Sequence, residues 1–101
     1  MNFRTLDLNL LRVFDSVMAE GSLTRAALVL AMTQPAVSHA IRRLHETVGD
    51  PLFERSAHGM KPTPRALALW PPVRAALSGL QGALAPSDFT PQRDPATFRL
   101  A

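Results

Sequence analysis

The sequence lacks cysteine altogether, which excludes a disulfide framework, a thiolate metal site and a cysteine nucleophile. It also lacks any apolar run close to the ~18 residues that a membrane-spanning helix needs, so we expect no membrane contact. A secretory signal is not expected either, because Asp7 and Asn9 interrupt the apolar stretch that such a signal requires. These absences predict a cytoplasmic protein.

Charged residues are few and unevenly placed. Only 19% of the 101 residues are charged, and 47% are hydrophobic. This length and hydrophobic content are enough for one domain with a single modest core. The net charge of +3 is concentrated in residues 22–65, where six arginines and lysines accompany three acids, whereas residues 1–21 hold two arginines and three acids. The excess is moderate, so a single copy should bind nucleic acid weakly.

The stretch that begins at Ser22 predicts two short helices joined by a tight turn. Ser22 is a favourable N-cap for the first helix, and Thr33 is one for the second. Pro35 falls in the first turn of the second helix, where a missing N–H costs nothing. The paired Ala26 and Ala27 allow two helices to approach closely at a steep angle, which is typical of a helix-turn-helix.

The second of these helices has one polar and one apolar face. Gln34, Ser38 and Arg42 lie at i, i+4 and i+8, so they share one side of the helix. Their side chains can hydrogen-bond base edges or phosphates in the major groove of DNA. The pattern therefore predicts a DNA-reading helix, whose opposite side is a core stripe of Val37, Ile41, Leu44 and Val48.

Residues 52–62 predict a β-hairpin, because two short strand-like segments enclose turn residues. Arg55, His58 and Lys61 near its tip could reach a phosphate or the minor groove. The expected fold is therefore mainly α with a small β-hairpin: a winged helix-turn-helix followed by a long linker helix.

The linker helix is expected to begin at Pro64, after the N-cap Thr63, and to reach about residue 85. Its apolar stripe is longer than so small a domain can cover, which favours contact with a second copy of the chain. The alternative is that the stripe folds back on the first helix. The residues assigned to the dimer interface are Leu67, Trp70, Val73, Leu77, Leu80 and Leu84.

Two further features divide the chain. Pro71 and Pro72 remove two backbone donors, which predicts a kink or break at residues 67–70. We expect a winged helix-turn-helix domain over residues 1–62 and a linker or dimerisation helix over residues 63–86. Residues 87–101 are expected to form a hinge and the start of a truncated effector-binding domain.

Several blocks of the sequence, in this order and spacing, resemble the N-terminal DNA-binding domain of LysR-type transcriptional regulators of bacteria. The details are most similar to the subgroup of nodulation and aromatic-catabolism regulators, which shares the run at residues 49–53. The blocks are residues 7–14, Ser22 with Ala26 and Ala27, and residues 33–38, 52–55 and 62–66.

The resemblance implies a much longer protein with a C-terminal domain that binds a small-molecule inducer, and no cofactor in this chain. It implies double-stranded DNA as the partner, bound at an interrupted palindrome by a homodimer that pairs through the linker helix. Tetramers of the full-length protein, contact with RNA polymerase and a nucleoid-associated location are further expectations.

The resemblance also assigns roles to individual residues. Gln34, Pro35, Ser38 and Arg42 match the family's major-groove readers, and His39 lies where the family varies, as a specificity residue or a solvated bystander. Arg43 is a phosphate contact or a solvated partner of an acid, and Arg65 anchors the DNA backbone or only satisfies the surface. Ser22 and Thr33 match phosphate-contacting helix N-termini, and Arg55 matches the wing arginine.

Two residues depart from the family pattern. Ala31 occupies a turn position where glycine or asparagine is common, and a positive φ there would cost an alanine roughly 1 kcal/mol. His45 stands where the wider family often has glutamate. Neither departure changes the predicted fold, although the first could loosen the turn.

Other functions fit the sequence less well. A winged helix can dock proteins instead of DNA, but such a face should be more apolar than that of the predicted reading helix. We expect no catalytic residue, because no Gly-rich elbow or phosphate loop accompanies the serines and histidines. We expect no metal site, because His39 and His45 are six residues apart and do not share a helix face.

Overall fold

The structure is a computed structural model and describes residues 3–57 and 59–86. The predictions for His58 and for residues 87–101 lie outside the described residues. A short 3₁₀ turn, Phe3–Thr5, precedes four helices and one two-stranded antiparallel hairpin, and the predicted fold class is confirmed. The elements are α1 (Leu8–Glu20), α2 (Leu23–Leu30), α3 (Gln34–Val48), β1 (Phe53–Ser56), β2 (Gly59–Pro62) and α4 (Pro64–Leu84).

Each of the four helices begins at a side chain that caps it. Asp7 accepts a hydrogen bond from the Asn9 N–H, and the hydroxyls of Ser22, Thr33 and Thr63 accept one from the N–H three residues further along. Such a cap satisfies one of the donors that the first helical turn leaves unpaired. The helix starts therefore follow from local sequence alone.

The turn between α2 and α3 is closed by Ala31, which has φ 56° and ψ 42°. The Met32 N–H donates to the Ala27 carbonyl at 2.9 Å and the Ala31 N–H to the Leu28 carbonyl at 3.2 Å, which is the Schellman pattern. Ala31 therefore adopts the positive φ whose cost was considered from the sequence. Gly21 and Gly49 end α1 and α3 in the same left-handed region, where glycine pays no steric cost.

The core lies where α1, α2 and α3 meet, and its largest fully buried side chains include Phe14 and Leu44. The hairpin is attached to this core through Phe53, whose ring centroid lies 6.0 Å from that of Phe14 in a tilted arrangement. Leu52, directly before β1, is fully buried as well. This packing fixes the hairpin beside α3.

Helix α4 runs without interruption from Pro64 to Leu84 through Pro71 and Pro72, so a break at residues 67–70 is wrong, while the alternative of a kink there stays a prediction. The prolines leave the carbonyls of Leu67 and Ala68 without their usual helical donors. Both residues are exposed, so water can serve these carbonyls, while Val73 is buried against the core. Within the described ranges, none of the helices has the length and apolar character that a bilayer crossing demands.

Candidate nucleic-acid interface

The polar face of α3 is held outward because the other face is fully used in the core. Val37 and Leu44 are completely buried, and Ile41 is 2% exposed. Gln34 and Arg42 are exposed and Ser38 is half-buried, so the three polar side chains form one accessible row. A helix about 10–12 Å across fits the roughly 12 Å width of the DNA major groove.

This row and the hairpin line one open groove, whose lining also includes residues of α1, α2 and α4. Gln34, Ser38 and Arg42 line it from α3, and Glu54 and Arg55 line it from β1. The structure therefore brings together three of the five predicted base-contacting residues of α3 and the predicted wing arginine. Pro35 and His39 are also exposed on the outer side of α3.

The hairpin register separates the two basic residues that we expected near its tip. Arg55 lies opposite Met60, and Lys61 lies opposite Glu54. Because successive side chains of a strand point to opposite faces, Arg55 and the Glu54–Lys61 pair are on different faces of the ribbon. Both Glu54 and Arg55 line the α3 groove although they are on different faces, and Lys61 is not among the residues that line it.

Two helix N-termini lie at the same interface. The hydroxyls of Ser22 and Thr33 are occupied by the Arg25 and Ala36 N–H groups, at 3.2 Å in both cases. These bonds use each hydroxyl as an acceptor and leave its O–H free to donate, so both the hydroxyls and the unpaired backbone N–H groups of the first turns are available to a phosphate. The positive end of each helix dipole favours such an anion.

Thr24 is a candidate site residue that sequence reasoning missed. Its hydroxyl lies 3.4 Å from Oε1 of Gln34, and both residues line the groove. The contact connects the first turn of α2 to the first residue of α3. No local pattern signals it, because the two residues are ten positions apart and meet only once the turn at Ala31 is formed.

The remaining basic candidates are at the surface. The Arg65 guanidinium lies 3.4 Å from Asp50 in an exposed ion pair, so a carboxylate already offsets part of its charge. Arg43 is exposed on α3, and Glu20, one of its predicted partners, pairs with Arg25 at 3.5 Å instead. Exposed pairs of this kind contribute only about 0–1 kcal/mol, so Arg65 can exchange Asp50 for a phosphate at little cost.

The apolar stripe of α4 is divided between two environments. Val73 is buried, and Trp70 and Leu77 are partly buried against the core, as the fold-back alternative requires. The other three leucines are open to solvent. The exposed fractions are 55% for Leu67, 48% for Leu80 and 81% for Leu84.

His45 faces inward from the end of α3, with its ring centroid 6.4 Å from that of Phe53. Its Nε2 is buried without a hydrogen-bond partner, and burial lowers the pKa of the imidazole. In residues 3–57 and 59–86 there is no group of three histidine, cysteine or acidic side chains that could hold a metal ion.

Comparison with known proteins gives consistent results. The family model described as bacterial regulatory helix-turn-helix protein, lysR family, matches residues 8–67. The chain is 50% identical over 97 residues to the HTH-type transcriptional regulator LeuO of Escherichia coli (strain K12), covering 96% of this chain and 31% of LeuO. It is 44% identical over 101 residues to nodulation protein D 2 of Sinorhizobium fredii, covering 99% of this chain and 32% of that protein.

Among solved structures, the crystal structure of the BenM_DBD/catB site 1 DNA complex matches with a TM-score of 0.73 at 33% identity, covering 78% of this chain and 89% of that chain. The neighbour is a complex with DNA. The chain spans about a third of the length of the curated relatives it matches, 31% of LeuO and 32% of the nodulation protein.

Proposed function

Because the chain belongs to the lysR family of bacterial regulatory helix-turn-helix proteins, we propose that this DNA-binding domain serves a transcriptional regulator that reads an interrupted palindromic promoter site as a dimer. The proposal is carried by one observation: the polar row of α3 and the wing residue Arg55 line a single open groove. Helix α3 would enter the major groove, and the hairpin would contact the adjacent backbone or minor groove.

Gln34 and Ser38 are the proposed base readers, and Arg42 extends the contact along the same face. Amide and hydroxyl groups distinguish base edges, while arginine binds guanine edges or phosphates. Arg55 and the N-termini of α2 and α3 would hold the phosphate backbone and fix the helix in register. This division predicts that different substitutions affect specificity and general affinity.

The dimer would form through α4, since Leu80 and Leu84 leave an exposed apolar edge beyond the part that packs on α1. For the longer protein we propose an inducer-binding domain, tetramer formation and contact with RNA polymerase, by analogy with its family. Chromosomal DNA as the target places the proposed site of action in the cytoplasm, at the nucleoid.

Fluorescence anisotropy at two salt concentrations tests this function. The probes are a duplex from the DNA immediately upstream of the gene and a scrambled duplex of the same composition. A preference for the upstream duplex that persists at higher salt would support sequence-specific reading. Equal, salt-sensitive binding to both would reduce the claim to a basic surface, and no binding to either would favour a protein-docking role.

A further inference from the structure

A cluster of three side chains joins α4 to α1 on the side of the core. Trp70 Nε1 donates a hydrogen bond of 2.8 Å to Asp15 Oδ1, and the bond is partly buried. Arg74 Nη1 lies 3.4 Å from the same oxygen, and its guanidinium carbon lies 5.5 Å from the centroid of the Trp70 ring. One carboxylate oxygen therefore holds two α4 side chains that are one helical turn apart.

The cluster supplies directionality that the neighbouring apolar contact lacks. Val73, which lies between Trp70 and Arg74 along the chain, is buried against the core. Apolar burial has no preferred direction, so this contact alone would let the helix pivot. The bond from Trp70 to an ionised carboxylate is charge-assisted and angle-dependent, and the Asp15 side chain is only 22% exposed. The stacked Arg74 adds a cation–π contact to the same pair.

We propose that Asp15 is a positioning residue that sets the angle at which α4 leaves the DNA-reading head. In the dimer proposed above, on which this role rests, that angle sets the separation of the two α3 helices and thus the half-site spacing that the dimer accepts. Helix α4 continues for ten residues beyond Arg74, roughly 15 Å at 1.5 Å per residue. A tilt of about 10° would displace its end by roughly 3 Å, comparable to the ~3.4 Å rise of one base pair.

The absence of cysteine allows site-specific spin labelling without removing any native residue. Leu28→Cys on α2 and Ser78→Cys on α4 place two labels at exposed positions, away from the proposed DNA groove and the exposed leucines of α4. Double electron–electron resonance on doubly labelled protein, diluted in excess unlabelled protein, reports the angle within one chain. Singly labelled Leu28→Cys reports the separation of the two heads in the dimer.

We expect one narrow distance distribution within the parent chain. A broader, shifted one is expected in Asp15→Leu and in Trp70→Phe, which keeps an aromatic ring at this position but removes the donor. The head-to-head distance should change in the same two variants. Asp15→Asn retains an oxygen acceptor for Trp70 but loses the charge that strengthens this bond and attracts Arg74, so it should fall between the parent and Asp15→Leu. Glu20→Gln is the control, because it removes another α1 carboxylate whose partner, Arg25, is on α2.

Parent-like distance distributions in folded Asp15→Leu and Trp70→Phe would overturn the proposal, even if their melting temperatures fall. If Asp15→Leu does not fold, Trp70→Phe still decides, since it removes the donor while keeping an aromatic side chain in the partly buried position. If the singly labelled parent gives no distance between heads, dimer formation has failed and the role in spacing fails with it. The doubly labelled samples would then still decide whether Asp15 fixes the angle.

Discussion

At the scale of single residues, a substitution of Arg55 can distinguish the electrostatic contribution to DNA affinity from the recognition of base sequence. It lines the groove beside α3 and lies on the hairpin, where we propose that its guanidinium contacts a phosphate. We predict that Arg55→Ala weakens binding to any duplex and lowers the slope of log K against log salt by about one unit, because one counterion fewer is released. Anisotropy titrations over a range of salt concentrations measure both quantities.

The matched control for this prediction is Arg12→Gln, which removes one positive charge from the exposed face of α1, where Arg12 contacts Asn9. It should leave the slope close to that of the parent. A slope in Arg55→Ala that equals the parent's would remove Arg55 from the set of phosphate contacts.

Thr24 offers a second test at this scale, because its hydroxyl contacts the Gln34 amide that we propose as a base reader. Gln34→Ala should cost about 1–3 kcal/mol of discrimination at one base pair per half-site. Thr24→Val keeps the side-chain shape but removes the hydroxyl, and it should cost about 0.5–1.5 kcal/mol at the same base pair. Anisotropy with single-substitution duplexes measures this discrimination.

Two comparisons show whether Thr24 acts through Gln34. Thr24→Ser retains the hydroxyl and should behave like the parent, and in a Gln34→Ala background Thr24→Val should have little additional effect. If the two substitutions are additive, or if Thr24→Val weakens all duplexes equally, then Thr24 does not orient the amide.

His45 makes stability depend on pH. Burial lowers the pKa of its imidazole in the folded chain, whereas the unfolded chain has the ordinary value of about 6.5. The unfolded state therefore binds the proton more readily, so this contribution to stability is complete above pH ~6.5 and is lost as pH falls through that value toward the lower folded pKa. Urea unfolding at pH 8, 6 and 5 should show a falling free energy of unfolding.

In His45→Leu this part of the pH dependence should disappear. The buried Nε2 without a partner is removed as well, so the variant should gain most, relative to the parent, at pH 5. A parent and a variant whose stabilities fall in parallel between pH 8 and pH 5 would show that other groups cause the acid sensitivity.

At the scale of helices and turns, the sequence predicted those features that hydrogen bonds between near neighbours in the chain determine. The N-caps Asp7, Ser22, Thr33 and Thr63 specify their helices through hydrogen bonds that span two or three residues. Continuity of α4 was not predictable in this way. The local penalty of Pro71 and Pro72 favours a break, but the contacts of α4 with α1 depend on tertiary packing that local sequence does not encode.

Ala31 allows a test of the turn between α2 and α3. Its φ of 56° is unfavourable for a residue with a Cβ. Ala31→Gly should therefore raise the free energy of unfolding by up to about 1 kcal/mol, less the extra entropy that glycine gives the unfolded chain. Ala76→Gly, in the exposed interior of α4, is the opposing control and should lower it by about 1 kcal/mol. Equal destabilisation by both substitutions in urea unfolding would contradict the strain at Ala31.

At the scale of the whole molecule, the sequence predicted the part of the candidate site that lies on a single helix, α3. Gln34, Ser38 and Arg42 share a face through helical periodicity, and the structure places them together in the groove. The contacts of Thr24 with Gln34 and of Trp70 with Asp15 join different helices, the second across 55 residues. Such pairs have no sequence period and emerge only when the helices pack.

The dimer proposed above would use the part of α4 that the chain does not cover. Packing on α1 uses Val73 and part of Leu77, while Leu80 and Leu84 remain exposed. Burying such side chains in a partner typically contributes about 1.5–3 kcal/mol each. We predict that Leu80→Gln with Leu84→Gln shifts sedimentation toward the monomer and weakens binding to a two-half-site duplex more than to an isolated half-site.

Leu28→Gln provides the matched control for this prediction, because Leu28 is a 77% exposed leucine on α2, away from the proposed interface. It should leave the sedimentation coefficient unchanged. A double variant that still sediments as a dimer would show that these leucines do not hold the two copies together. Loss of the dimer with unchanged affinity for an isolated half-site would show that α4 contributes to assembly and α3 to DNA binding. The reason is that a dimer on two half-sites gains affinity from the effective concentration of its second DNA-binding domain, whereas a single domain on one half-site does not.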